Sequence, residues 1–336
     1  MPALSALIEA LSTPKAYPHS PQEVKLVQTQ ISVVFLAGDY VYKVKKPVDF
    51  GFLDFTTLEK RLYYCQQEVT LNRRLCPDAY LGVVAITKEG DTISVEGSGT
   101  EVEYAVKMRP LPHQRMMDVL LHNNEITTEM LERVAVKLAN FHREAELSKQ
   151  QAAIGGLDTV TFNIEENFEQ TKDYVNKTIT TEQYETIKNY SYAFLKENAG
   201  LFSKRVKDSR IRDCHGDLHA AHICFNDGLC IYDCIEFSDR FRYIDVASEV
   251  AFLAMDLDFH GHPDLAKKFI EYYVKASGDE ELLRLLNFYK CYRAYVRGKV
   301  EGFKLEDPHI SEEEKSRTLT IARRYFELAE SYTSSS

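Results

Sequence analysis

The sequence lacks several features that would assign it to a class at once. Its 336 residues contain no tryptophan, and no apolar run approaches the roughly 20 residues that a membrane-spanning helix needs. The N-terminal segment has no basic start followed by a continuous apolar core, so we expect no signal peptide and a cytoplasmic protein. Basic residues are not in excess, because the formal net charge is -10. We therefore expect no membrane partner and no nucleic-acid partner.

Cysteine is present, but its spacing is not that of paired ligands. The seven cysteines include no C-x-x-C pair, which favours free thiols in a reducing compartment over a disulfide framework or structural zinc. The chain also has no G-x-x-x-x-G-K-[ST] motif and no G-x-G-x-x-G loop. We therefore expect no P-loop domain within these residues.

Strand and helix patterns divide the chain near Arg109-Pro110. Before that point β-rich runs dominate, with Gly38-Asp39 predicted as a hairpin turn and one helix predicted after a capping box at Thr56 and Glu59. After it, amphipathic helical patterns dominate. They cover 126–146, 181–196, 245–257, 263–276, 280–300 and 311–332. We predict an α+β fold with an N-terminal lobe of residues 1–108 and a C-terminal lobe of residues 109–336.

One short segment concentrates the chemically reactive side chains. Residues 214–237 have the sequence CHGDLHAAHICFNDGLCIYDCIEF, in which Asp227-Gly228 between apolar runs predicts a hairpin. A two-residue turn there would pair Phe225 with Cys230 and put His222 opposite Asp233. A three-residue turn would shift the pairing by one.

The segment suits a hard divalent cation better than zinc. Two carboxylates, Asp217 and Asp233, and one further ligand near a loop are typical of a cation that also binds phosphates. Structural zinc is the alternative, since His215, His219 and His222 are closely spaced, but Cys224 and Cys230 are interpreted as small core residues.

The order of five residues along the chain matches the pattern of a kinase. In that pattern a loop aspartate, here Asp217, accepts the proton of the acceptor hydroxyl, and a residue five places on and a later aspartate hold the metal. These two would be His222 and Asp233. A kinase also needs a strand lysine and a helix glutamate upstream, and Lys43 and Glu68 occupy those places.

The chain resembles the aminoglycoside phosphotransferase-like enzymes, and in particular an uncharacterised bacterial branch that is sometimes fused to a P-loop domain. The motifs that carry the resemblance include VYKVKKPVDFGFLDFTTLEKR, HGDLH, IYDCIEF and IDVASEVAFLAMDL. It implies a bilobal protein-kinase-like fold. Residues 1–108 would form a small antiparallel sheet with a helix that binds the nucleotide, and residues 109–336 a larger, mainly helical lobe for catalysis and acceptor binding.

The resemblance also implies roles for single residues. Around ATP we expect Lys43 on the α- and β-phosphates and paired with Glu68, Met108 at the hinge beside adenine, and Ser32 in the loop over the phosphates. His215 would brace the catalytic loop. Asp217 would be the catalytic base, and Asp233 with His222 would hold the metal.

Two residues depart from the pattern of related enzymes. His222 stands where the family usually has Asn, and imidazole is a poorer ligand for Mg²⁺ than an amide oxygen, so Mg²⁺ or Mn²⁺ is expected. Gly216 stands where regulated protein kinases have Arg, which favours a small-molecule acceptor. We predict an ATP-dependent phosphotransferase that acts on a hydroxyl of a sugar-like or aminocyclitol-like molecule. The alternatives are a nucleotide-binding pseudokinase with a regulatory role and a metal-dependent hydrolase.

Two arginines in the last third of the chain have two interpretations. Arg293 and Arg297 lie one helical turn apart, and we interpret them as a structural salt-bridge set with Asp245 or Glu249. The alternative is an acceptor that carries phosphate or carboxylate, held by the guanidinium groups. The resemblance implies that Asp245 braces the catalytic loop.

Overall fold

The computed structural model describes residues 3–147, 154–226, 228–307 and 310–334. They divide into two compact units, Met1–Val119 with Ala221–Asp239, and Leu120–Ala220 with Arg240–Ser336. The first unit is therefore built from two separate segments of the chain, whereas the sequence analysis expects a single boundary after residue 108.

A six-stranded antiparallel sheet is the main element of the first unit. Its strands follow the order β1-β2-β3-β6-β4-β5. Ala37 pairs with Tyr40, so Gly38 and Asp39 form the predicted two-residue turn, and the φ of +63° at Gly38 explains glycine there. The strands are β1 Lys25–Gln28, β2 Ser32–Ala37, β3 Tyr40–Lys45, β4 Tyr80–Glu89, β5 Thr92–Val95 and β6 Thr100–Met108.

Two helices pack on this sheet, α1 Leu4–Leu11 and α2 Leu58–Asn72. The predicted capping box is wrong by one residue, because Thr57 is the N-cap of α2 and its side chain accepts from the backbone N–H of Lys60. The hydroxyl of Thr56 instead donates to Asp54 at 2.6 Å. The buried face of α2 carries Cys65, Glu68 and Val69.

A short hairpin follows later in the chain, with β8 Ile223–Cys224 and β9 Cys230–Ile231. Its predicted register is wrong by one, because Cys224 pairs with Cys230. The backbone N–H of Phe225 donates to the carbonyl of Arg115 at 2.8 Å, so Phe225 has left the ladder and the loop is longer than two residues. Asp227, which we predicted in the turn, lies outside the described residues.

One disulfide overturns the prediction that all cysteines are free. Cys76, which follows α2, is bonded to Cys230 on β9, 154 residues away. No local spacing signals a pair so distant in sequence, and an odd number of cysteines does not exclude it. The cysteines of the described chain that form no disulfide are Cys65, Cys214, Cys224, Cys234 and Cys291.

Helices dominate the rest of the chain, which confirms the predicted α+β class. The predicted helix over 280–300 begins as a 3₁₀ segment, Glu280–Arg284. Helix α9, Val246–Phe259, is buried along most of its length and packs against α10, Pro263–Ser277, and α11, Leu286–Phe303. The short strands β7 Ile211–Asp213 and β10 Tyr243–Asp245 pair before it. Among the helices described, none is both long and apolar enough to cross a membrane. They are α3 Met117–His122, α4 Thr128–Glu144, α5 Leu157–Thr171, α6 Thr181–Glu197, α7 Ala199–Lys207, α8 Asp239–Arg242, α9 Val246–Phe259, α10 Pro263–Ser277, α11 Leu286–Phe303 and α12 Glu312–Ser331.

Candidate functional site

Strand β3 and helix α2 bring two lysines to one buried glutamate. Lys43 and Lys45 are two residues apart on β3 and therefore point to the same face of the sheet. The carboxylate of Glu68 lies between them, with Oε1 at 2.8 Å from Lys43 Nζ and Oε2 at 2.8 Å from Lys45 Nζ. The expected pair of Lys43 with Glu68 is present, whereas the sequence analysis did not single out Lys45.

Two acidic residues that follow β9 complete this group. Asp233 Oδ1 lies 2.6 Å from Lys43 Nζ, and Glu236 pairs with Lys45. Lys45 Nζ also lies 4.9 Å from the ring centroid of Phe55, in cation–π contact. We call this group the lysine–carboxylate cluster; its members are Lys43, Lys45, Glu68, Asp233 and Glu236.

The charges of the cluster explain the direction of its pKa shifts. Burial alone would lower the pKa of Lys43, but Asp233 and Glu68 outweigh burial and hold it well above its usual value. Burial alone would raise the pKa of Glu68, and Lys43 and Lys45 lower it overall. Glu236 keeps a raised pKa, mainly because of burial. The raised pKa is consistent with a cluster in which carboxylates outnumber lysines.

Backbone contacts fix the chain segment that carries Asp233. The N–H of Asp233 donates to the hydroxyl of Tyr80 at 3.2 Å, and the N–H of Cys234 donates to Asn72 Oδ1 at 2.8 Å. The amide of Asn72 in turn donates to the carbonyl of Glu68 at 2.8 Å. Asp233 adopts a φ of +63°, so the chain turns sharply at this residue.

His222 and Asp233 are brought together despite the shifted register. His222 Nε2 lies 3.6 Å from Asp233 Oδ2, and the side chain of Asp233 is 38% exposed. Two ligands of one cation, each about 2.1 Å from it, lie at most about 4.2 Å apart. The pair therefore fits a divalent cation with mixed oxygen and nitrogen ligands. Lys43 contacts the other carboxylate oxygen, so a cation there would weaken its ion pair with Asp233.

The two remaining nucleotide-site candidates lie within the sheet. Ser32 begins β2, is fully buried opposite Lys45, and its hydroxyl has no hydrogen-bond partner among the described residues. Met108 ends β6, where it pairs with Val41 and is nearly buried. Their roles in binding a nucleotide stay predictions.

In the second unit, Asp217 lies in a loop after β7 whose backbone is held by Glu249. One carboxylate oxygen of Glu249 accepts the backbone N–H groups of His215 and Gly216, both at 2.7 Å. Gly216 has a φ of +88°, a conformation that favours glycine. The buried ring of His215 accepts the N–H of Asp217 through Nδ1 at 3.3 Å, in keeping with its expected structural role.

The expectation that Asp245 braces this loop is wrong. Asp245 caps α9 by accepting the N–H of Ala247, and both of its oxygens accept from Arg205, at 2.6 and 2.9 Å. Arg205 also contacts Asp279 at 2.6 Å. Asp245 therefore fixes the start of α9, and Glu249, one turn further on, fixes the loop.

A buried histidine holds the glutamate that braces the loop. His142 Nε2 lies 2.6 Å from Glu249 Oε2, and His142 Nδ1 lies 2.7 Å from the hydroxyl of Tyr273. Burial alone would raise the pKa of Glu249, but His142 and the backbone N–H groups outweigh burial and lower it to about 2. No sequence motif points to His142 or Tyr273, because their spacing along the chain is unrelated to their contact.

The side chain of Asp217 is about one-third exposed. Its Oδ2 lies 3.6 Å from His219 Nε2. On the C-terminal side of the loop, Asp256 accepts the N–H of Ala220 at 2.8 Å. The backbone of the loop is thus fixed on both sides of Asp217, while its carboxylate stays accessible.

These features together fit a protein-kinase-like fold. Its elements are a strand lysine paired with a helix glutamate, an aspartate after a short hairpin, and a loop aspartate with a fixed backbone. A comparison with solved structures agrees.

Several solved small-molecule kinases share this fold. The GDP complex of aminoglycoside 2'-phosphotransferase-IIIa superposes with a TM-score of 0.54 at 16% identity, covering 92% of this chain and 94% of that one. A choline/ethanolamine kinase family protein from Mesorhizobium loti gives 0.52 at 11% identity, covering 97% and 99%. An amicoumacin kinase bound to AMP-PNP and Ca²⁺ gives 0.51 at 10% identity, covering 91% and 89%. The predicted protein-kinase-like fold is confirmed.

Relatives that are closer in sequence carry no functional description. Uncharacterised proteins of Mycobacterium tuberculosis and Mycobacterium bovis are 34% identical over 275 residues, which is 82% of this chain and 54% of each relative. The chain thus spans about half the length of these curated relatives. No family model matches the chain.

Proposed function

We propose that the protein is an ATP-dependent phosphotransferase that transfers the γ-phosphate to a hydroxyl group of a sugar-like or aminocyclitol-like small molecule. The observation that carries the proposal is Lys43, whose ammonium group contacts both Glu68 and Asp233. Such a lysine is anchored by the glutamate and lies beside a candidate metal ligand. The fold shared with small-molecule kinases supports the proposal.

In the first unit, Lys43 binds phosphate oxygens of ATP, and Asp233 and His222 hold a divalent cation, Mg²⁺ or Mn²⁺. The cation, when bound, neutralises charge on the phosphates. The amicoumacin kinase binds an ATP analogue together with Ca²⁺, which supports a nucleotide and a divalent metal as cofactors. Ser32 and Met108 complete the nucleotide site as predicted contacts.

In the second unit, Asp217 accepts the proton of the acceptor hydroxyl. The hydroxyl oxygen forms a bond to the γ-phosphorus, the bond from that phosphorus to the bridging oxygen of ADP breaks, and ADP leaves with the electron pair. Glu249 and His215 hold the backbone beside Asp217, so the carboxylate starts from a fixed position.

Two variants separate binding from transfer. Lys43→Ala removes a charge-assisted contact worth about 1.5–3 kcal/mol, so its ATP affinity should fall about tenfold or more by calorimetry. Asp217→Asn should keep ATP affinity and lose most acceptor-dependent ADP release. Asp264→Asn, an exposed aspartate of α10, is the control and should leave both unchanged. An Asp217→Asn variant with nearly full turnover would exclude Asp217 as the base.

A nucleotide-binding regulator without transferase activity is the second candidate. The observation that favours it is the imidazole of His222, 3.6 Å from Asp233 at the candidate metal site, where an amide oxygen would suit Mg²⁺ better. A single-turnover experiment with ATP labelled in the γ-phosphate and a pool of hydroxylated metabolites distinguishes the two. Transfer of label supports the enzyme, and tight binding without transfer supports the regulator.

A further inference from the structure

Helix α11 carries a buried arginine that pairs with no carboxylate of the described residues. The guanidinium of Arg293 donates to the hydroxyl of Ser248 at 3.1 Å and to the carbonyl of Gly216 at 3.2 Å, and it stacks over the ring of Phe252. Its exposure is 6%. Within the part of the chain that the structure describes, no ion pair joins Arg293 to any acidic residue.

Arg297, one helical turn further on, contacts Tyr325 and has only a weak ion pair. Its nearest carboxylate is Glu301, 3.9 Å from Nη2, and Glu301 lies only 2.7 Å from Lys304. The Nε of Arg297 is buried and has no hydrogen-bond partner among the described residues. The side chain as a whole is 23% exposed.

Other buried arginines of this chain are paired with acids. Arg61 contacts Glu103 at 2.9 Å, and Arg205 contacts both Asp245 and Asp279. A buried guanidinium without such a partner is unfavourable, and acidic residues are in excess in this chain, with 51 against 41 basic ones. The interpretation of Arg293 and Arg297 as a salt-bridge set with Asp245 or Glu249 is therefore wrong. Asp245 pairs with Arg205, and Glu249 pairs with His142.

Both arginines lie close to the loop of Asp217. Arg293 binds the carbonyl of Gly216, the residue directly before Asp217. Burial alone would lower the pKa of Arg297, but Tyr325, Asp217 and Asp256 raise it overall, so its charge lies within electrostatic reach of Asp217. Both positive charges thus lie near the loop that carries Asp217.

We propose that the acceptor carries an oxyanion group, a phosphate or a carboxylate, which Arg297 binds while Arg293 positions the loop of Asp217. The inference rests on the proposed function and narrows its substrate to a hydroxylated acid or phosphate ester. The guanidinium of Arg297 is planar and its Nε is unpaired among the described residues, and such a group matches the oxygens of a phosphate or carboxylate. The same charge repels a cationic amino group, so of the two acceptor classes in the proposed function the inference favours the sugar-like one. The transfer step is unchanged, because the oxyanion group orients the acceptor and takes no part in bond making.

The test compares matched acceptors in a coupled assay of ADP release. The panel contains neutral sugars and sugar alcohols, amino sugars, sugar acids and sugar phosphates, so that phosphate and carboxylate are scored separately. We expect the wild-type protein to favour one oxyanion-bearing class. In Arg297→Gln, kcat/KM for that class should fall about tenfold or more through KM, as expected for a lost charge-assisted contact, with little change for neutral acceptors. Arg297→Lys should recover part of the loss.

The control is Arg323→Gln, which removes the same charge from an exposed position of α12. An equal loss for all acceptors in Arg297→Gln would overturn the proposal, since Arg297 would then only support Asp217. A wild-type protein that favours neutral or amino acceptors, or that turns over none of the panel, also overturns it. Failure of the proposed function is detected separately by the single-turnover experiment, in which no labelled phosphate would then reach any hydroxylated metabolite.

Discussion

At the scale of single residues, Lys45 and Glu236 form a deeply buried ion pair of the lysine–carboxylate cluster, with side-chain exposures of 0% and 5%. Lys45→Met leaves Glu236 without its partner, and loss of one partner of a buried pair lowers the free energy of unfolding by about 3–5 kcal/mol. Lys45→Met/Glu236→Met removes both charges and should recover most of this loss. Urea unfolding of the three proteins measures the difference. Equal destabilisation of the single and double variants would mean that Lys45 acts by packing on Phe55.

The imidazole of His222 gives a prediction about metal preference. Mg²⁺ prefers oxygen ligands, whereas Mn²⁺ accepts nitrogen more readily, so we expect higher activity with Mn²⁺ than with Mg²⁺. His222→Asn restores an amide oxygen and should narrow the difference, while His113→Asn, at an exposed position, should not. The measurement is ADP release with each ion. An unchanged Mn²⁺/Mg²⁺ ratio in His222→Asn rejects His222 as a ligand.

The sequence allowed prediction of some of these residues and not others. Lys43 and Glu68 could be found because a strand lysine and a helix glutamate recur in fixed order before a loop aspartate. Lys45 could not be found in this way, because a lysine two residues after Lys43 has the sequence pattern of a solvated surface charge. Only the structure shows that it contacts Phe55 and Glu236. Glu249 could not be identified as the residue that holds the loop, because the resemblance implies that role for Asp245, one helical turn earlier.

At the scale of elements, the hairpin β8–β9 shows what local sequence leaves open. The Asn-Asp-Gly signal correctly predicted a hairpin, but its register depends on a partner outside it. The backbone carbonyl of Arg115, far earlier in the chain, accepts the N–H of Phe225, so the pairing of the two strands ends at Cys224. Rules for pairing two strands do not account for a third segment that accepts one of their backbone hydrogen bonds. The contact between His222 and Asp233 is present although the strand register differs by one residue from the prediction, because Asp233 lies beyond the paired residues.

The disulfide between Cys76 and Cys230 connects the segment after α2 to β9, shortly before Asp233. A bond that closes a loop of this length restricts the unfolded chain and adds up to about 4–5 kcal/mol to the free energy of unfolding. We expect reductant to lower the urea midpoint of the wild-type protein and to leave that of Cys76→Ser unchanged. Thiol titration of the unfolded, unreduced protein should detect five of the seven cysteines. Seven reactive thiols would show that the bond does not form.

At the scale of the whole molecule, the order of strand-rich and helix-rich regions could be predicted because periodicity is a property of each segment by itself. The division of residues between the two compact units could not be predicted. Residues 221–239 belong to the first unit because of contacts with distant residues such as Asn72, Tyr80 and Cys76. Contacts between residues so far apart in sequence leave no local periodic signal. The same holds for the network of His142, Tyr273 and Glu249.

That network gives a prediction for the stability of the whole protein in acid. The pKa of Glu249 falls from 4.5 to about 2 on folding. Its stabilising contribution is therefore complete above pH 4.5 and is lost as the pH falls from there to about 2, by on the order of 3 kcal/mol in total. Glu249→Gln should be less stable than the wild-type protein at pH 6, and the difference should shrink steadily below pH 4.5. Glu313→Gln, an exposed glutamate of α12, is the matched control. Urea unfolding between pH 6 and pH 3 measures the trend, and a constant difference across that range would show that Glu249 contributes through packing and not through its charge.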